Sequence, residues 1–150
     1  MWLREQVYML KSYVPVKIQE EFIMMNTFEM TIANMTTFEL ECFEVILDNA
    51  IEASKEFNEA VRNEFVNFNI DFETSNKLST FFITAFLKAV KNKNKTGIAC
   101  HLEKFDEELE NIDSVCKNNP ELFRSNYALM KTLMQFHTTM GELARALGMN

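Results

Sequence analysis

Between residues 38 and 66 apolar side chains return every three or four positions. Phe43, Ile46, Leu47, Ala50, Phe57, Val61 and Phe65 fall on one side of a helix, and Glu44, Asp48, Glu52, Glu56 and Glu59 fall largely on the other. From 98 onward, Ile98, Leu102, Phe105, Leu109, Ile112 and Cys116 make a seam with a and d spacing over nearly three heptads. After Pro120, the set Phe123, Tyr127, Met130, Met134, Phe136, Met140, Leu143 and Leu147 predicts another apolar helix face. Gly148 stands where the residue after a helix end belongs. Leu78, Phe81, Phe82, Ala85, Phe86, Ala89 and Val90 predict a shorter, more apolar helix suited to the centre of the fold.

No proline or glycine occurs between Pro15 and Gly97, so breaks in that stretch must come from weaker signals. Thr36 followed by Glu39 reads as a capping box, with Met35 and Leu40 spaced for a hydrophobic staple. Residues 67–76 mix alternating apolar side chains with cap formers, and 92–97 form a further break. Asn119 with Pro120 gives an N-cap followed by proline at the first helical position. Before residue 35 the pattern is less regular; it is compatible with one helix over 2–14, stopped by Pro15, and a second over 17–33. No strand pair with a two-residue turn and no internal repeat occurs. The expectation is an all-α, single-domain helical bundle of five or six helices over 1–150, with 1–35 as a less regular, interface-forming segment.

Composition sharpens this picture. With 47% apolar and 25% charged residues, 150 residues suffice for a real core. Three glycines and two prolines argue against turn-rich sandwiches, barrels and glycine-loop nucleotide folds. The net charge of −7 disfavours nucleic acid as a partner. The one basic run, Lys88, Lys91, Lys93 and Lys95, has no aromatic residue between its lysines and reads as a solvated helix end. Cys42, Cys100 and Cys116 are odd in number, widely spaced and without a CxxC pair, so buried, reduced thiols are expected. The first residues show no leader-like apolar region, and the longest apolar run, 81–87, is too short to cross a bilayer. A reducing cytosol, microbial or that of an infected host, is the expected compartment, with no membrane partner.

Three patterns could carry chemistry. The string from Phe43 to Ser54, with Glu44, Asp48, Asn49 and Glu52, resembles the N-box helix of histidine-kinase ATP-binding domains. The glycine-rich lid of that family has no counterpart in a chain whose glycines stand at 97, 141 and 148. Glu41 with Glu44, and Glu110 with Asp113, resemble the ExxE and ExxD motifs of all-helical nucleotide pyrophosphohydrolases. That resemblance implies a Mg²⁺ site built from the four carboxylates, although the two motifs lie further apart than the family usually allows. Glu107, Glu108 and Glu110 lie between seam positions, where solvent is the ordinary environment. His101 and His137 make no Glu-x-x-His pair, and Cys100 beside His101 points elsewhere on a helix, so no catalytic residue or cofactor is assigned.

Ten methionines and fourteen phenylalanines are the compositional oddity. Met24, Met25, Met30 and Met35 concentrate beside Phe22, Ile23, Phe28 and Ile32. Here the apolar residues are spread around the helix, which suits a plastic core or a surface covered by another chain. Phe22, Ile23, Met24, Met25, Phe28, Met30 and Ile32 are therefore the candidate protein interface. The functional expectation is a non-enzymatic, acidic protein-binding module: an inhibitor, immunity factor or adaptor of the kind mobile elements carry. It would work on a basic partner or as a homodimer. A Mg²⁺-dependent nucleotide hydrolase and a structural subunit of a larger assembly are the alternatives.

Overall fold

The computed structural model describes residues 31–67 and 71–147. The expected helix over 2–14, most of that over 17–33, the interface residues Phe22 to Met30, and Gly148 lie outside the described residues. Within them there are six helices: α1 (Thr37–Asn67), α2 (Phe72–Lys77), α3 (Phe81–Lys91), α4 (Lys95–Asn118), α5 (Pro120–Arg124) and α6 (Tyr127–Ala146). No strand occurs among the described residues, and the architecture is an all-α helical bundle.

Local signals set the helix ends. Thr36 and Glu39 form the reciprocal capping box: the Glu39 N–H donates to Thr36 Oγ1 at 3.1 Å and the Thr36 N–H to Glu39 Oε1 at 3.3 Å. Asp71 caps α2 by accepting from the Thr74 N–H at 2.7 Å, and that hydrogen bond holds its carboxyl below the ordinary range. Asn94 caps α4 through the Gly97 N–H at 3.0 Å, after a tight link that places Lys93 at φ 55°. Gly97 thus lies inside α4, not ahead of it. A Cβ there would come within 3.0 Å of the Ala89 Cβ, so glycine lets the start of α4 approach the end of α3.

Four longer helices run up, down, up and down. Contacts of α1 with α3 pair Ser54 with Thr84 and Asn58 with Thr80, so the two are antiparallel. Contacts of α3 with α4 run from Ile83 with Glu108 to Phe86 with Phe105, whose ring centroids stand 4.3 Å apart. The last helix, α6, returns along α1, where Phe57 and Phe136 stack at 5.9 Å. Both α1 and α3 are therefore flanked by two long neighbours, so the central role expected of the 78–90 segment is shared. One continuous cluster of buried side chains joins all six helices except α2, and Leu78 at the end of α2 is fully buried in it.

Every seam residue of α4, from Ile98 to Cys116, is buried. The region after Pro120 departs from expectation. It is split by Ser125 and Asn126 into a one-turn helix and α6, because Asn126 turns inward to cap α6 by accepting from the Leu129 N–H at 3.1 Å. In α6 the buried face is Leu129, Leu133, Phe136, Met140 and Leu143, while Tyr127 and Met134 point to solvent. Those two share a face half a turn from the core set.

Candidate interaction surfaces

The paired carboxylates do not assemble into one site. Glu41 and Glu44 project from the exposed side of α1, and α1 makes no close pairing with α4. On α4, Glu110 is exposed and Asp113 is buried, with its Oδ1 lacking a hydrogen bond. Among the described residues no group of three or more His, Cys, Asp or Glu is placed to hold a metal ion. The i, i+3 spacing that brings Glu110 and Asp113 onto neighbouring positions also turns one of them toward the core. Ile32, the described member of the predicted interface set, is half-buried and packs on the core with Met35.

Another acidic residue that the spacing assigned to solvent is structural. Glu108 is buried and accepts from the Ile83 N–H at 2.8 Å. It satisfies a free amide in the first turn of α3, whose own N-cap, Thr80, makes no side-chain capping bond. Burial raises its carboxyl above the ordinary range against the opposing pull of the Ile83 and Phe82 amides and the Ser79 hydroxyl.

The cysteines divide differently from the expectation. Cys116 alone is buried, and desolvation with the nearby Asp113 charge pushes its thiol up to about 12. Cys42 and Cys100 are exposed free thiols. A disulfide-exchange reagent is therefore expected to titrate two thiols rapidly in the native protein. The third should react only with the rate of unfolding, because a thiol must ionise to attack. Rapid reaction of all three would contradict the buried position of Cys116.

Two surfaces on α1 stand out. The first is its outward face, where Phe38, Cys42 and Val45 recur at four and three residues. Phe38 is 74% exposed and Val45 58%, although both are large apolar side chains. Glu41, Glu44, Glu52 and Glu56, all exposed, flank and continue this stripe.

The second is a groove of about 650 Å³ between α1 and α3, lined by Lys55, Asn58, Glu59, Arg62, Asn63, Phe81, Thr84, Ala85 and Lys88. Its floor is fixed by a buried polar latch. Thr80 Oγ1 donates to the Ser54 carbonyl at 2.6 Å, Ser54 Oγ lies 2.7 Å from Thr84 Oγ1, and Asn58 Oδ1 accepts from the Thr80 N–H at 3.2 Å. Phe81, at 65% exposure, stands at its rim. Of these residues only Lys88 belongs to the basic run visible in the sequence. Its partners Lys55 and Arg62 come from α1, at a seven-residue spacing that puts them on one helix side. Across the described residues no helix is long and apolar enough to cross a membrane. No protein family, curated protein or solved structure matches this chain.

Proposed function

We propose that this chain is a non-enzymatic, acidic protein-binding module, of the inhibitor, immunity-factor or adaptor kind. It docks a basic partner on the outward face of α1. The observation that supports this reading is the pairing of exposed Phe38 and Val45 with exposed carboxylates at 41, 44, 52 and 56 on the same helix. Apolar anchors ringed by charge suit a contact in which the anchors enter a pocket and the rim excludes water. The net charge of −7 steers a basic surface toward that face, accelerating encounter more than it sets final affinity.

The test compares immobilised wild-type protein with the Phe38→Ser/Val45→Ser variant in native cell extract. Both side chains are exposed, so the variant should melt within a few degrees of wild type. The wild type is expected to retain a basic protein that is lost with the variant and released as salt rises. Equal retention by both proteins, or retention indifferent to salt, would remove this reading.

A further inference from the structure

The groove between α1 and α3 has the opposite electrostatic character from the rest of the molecule. Three cations, Lys55, Arg62 and Lys88, and one carboxylate, Glu59, line it in a chain of net charge −7. Four cations elsewhere are tied up locally: Lys77 pairs with Glu73, Lys91 with Asp48, Lys104 with Glu107, and Arg124 with Glu121. None of the three groove cations forms an ion pair among the described residues. Glu59 lies four residues after Lys55 and three before Arg62, spacings that permit a bridge, yet it bridges neither. The cations therefore present unspent charge beside an exposed aromatic ring, over a floor held by the Ser54–Thr80–Thr84 latch.

We propose that this groove is a second docking site, which takes an acidic segment of a partner protein carrying an apolar side chain for Phe81. The spacing of the cations favours that occupant. Lys55 and Arg62 are seven residues apart on one helix, a rise of roughly 10 Å. A polyproline II segment advances about 3.1 Å per residue with about three residues per turn, so carboxylates three residues apart share one side and match both cations. The same separation is too long for one phosphate group to span. A polynucleotide would meet the net negative charge outside the groove and Glu59 within it. With an acidic face on the outside of α1 and a basic groove on its α3 side, the molecule becomes an adaptor that engages two partners of opposite charge.

The site is tested by fluorescence anisotropy with a labelled pool of short peptides. Each carries two glutamates three residues apart, with leucine, phenylalanine or valine between them. A control pool carries glutamine in place of glutamate. Saturable binding of the glutamate pool is expected, weakened about tenfold or more by Lys55→Glu/Arg62→Glu. Phe81→Ala should weaken it several-fold, and Phe38→Ser/Val45→Ser should leave it unchanged, which separates this site from the outward face of α1. Thermal melting checks that each variant is folded, with Lys55→Gln/Arg62→Gln as the milder pair. Equal binding of the glutamine pool, or binding indifferent to both charge variants, would overturn the proposal. So would tighter binding of a single-stranded oligonucleotide of matched charge, which would assign the groove to nucleic acid. Concentration-dependent self-association abolished by the charge variants would assign it to a second copy of the chain.

Discussion

Phe57→Ala is expected to destabilise the fold by about 3–5 kcal/mol. In a chain of this length that corresponds to a fall of roughly 10 °C in melting temperature. Phe57 is fully buried near the middle of α1 and stacks on Phe136 with rings 12° from parallel. Because α1 packs against both α3 and α6, the cavity left by the ring opens at the junction of two helix interfaces. Neighbouring residues cannot collapse into it freely, since Asn58 and Ser54 are pinned by hydrogen bonds to the first turns of α3. The loss is a large share of a typical domain stability of about 5–15 kcal/mol. Met134→Ala is the matched control: its side chain is exposed, and the change should stay within about 0.5 kcal/mol. Urea and thermal unfolding of both variants decide the point. Equal stability of the two would mean that the Phe57–Phe136 stack is not part of the core.

The elements that were legible in the sequence are those whose information is local. Both the α4 seam and the α1 face repeat over many turns, so their phase is set by residues of one helix alone. Thr36 and Glu39 specify a boundary within four residues and need nothing from elsewhere. The α6 face does not follow from periodicity, because the apolar set that starts at Phe123 runs across the Ser125–Asn126 break. With α6 starting at Tyr127, Leu129 and Leu133 take the core positions, and Tyr127 and Met134 face solvent. The Asn at 126 after Ser125 was the available signal.

The burial of Glu108 could not be read from periodicity at all. It depends on the first turn of α3 standing against the middle of α4, where a free amide needs an acceptor. The basic groove was hidden for a related reason. Its cations come from positions 55, 62 and 88, which only the antiparallel pairing of α1 and α3 brings to one place. In the sequence Lys88 stands with its chain neighbours, whereas Lys91, one turn on, pairs with Asp48. Charge patches formed between helices are a property of packing, and their sign can oppose that of the whole chain.

Acidification should reveal two desolvated groups whose contributions have opposite sign. His137 is half-buried on α6, and desolvation pulls its imidazole from the ordinary 6.5 down to about 3. As pH falls from 6.5 toward 3, the unfolded chain takes up a proton that the folded chain refuses, so stability falls by up to about 1.4 kcal/mol per pH unit from this site. Glu108 acts the other way. Its folded carboxyl titrates above the ordinary value of 4.5, so the folded state binds the extra proton in that window. Its contribution is fully present below 4.5 and is lost as pH rises through the raised value. Melting curves from pH 7 to 4 for wild type, His137→Gln and Glu108→Gln separate the two. The His137→Gln curve should lose part of the acid-side decline, and the gap from wild type should change steadily below pH 6.5. Glu108→Gln keeps an oxygen for the Ile83 N–H without burying charge, so at pH 7 it should melt at or above wild type. Glu108→Ala, which strands that amide, should instead lose about 1 kcal/mol. Parallel curves for wild type and His137→Gln across the whole range would show that this imidazole titrates as it does in the unfolded chain, and would contradict its burial against α6's neighbours.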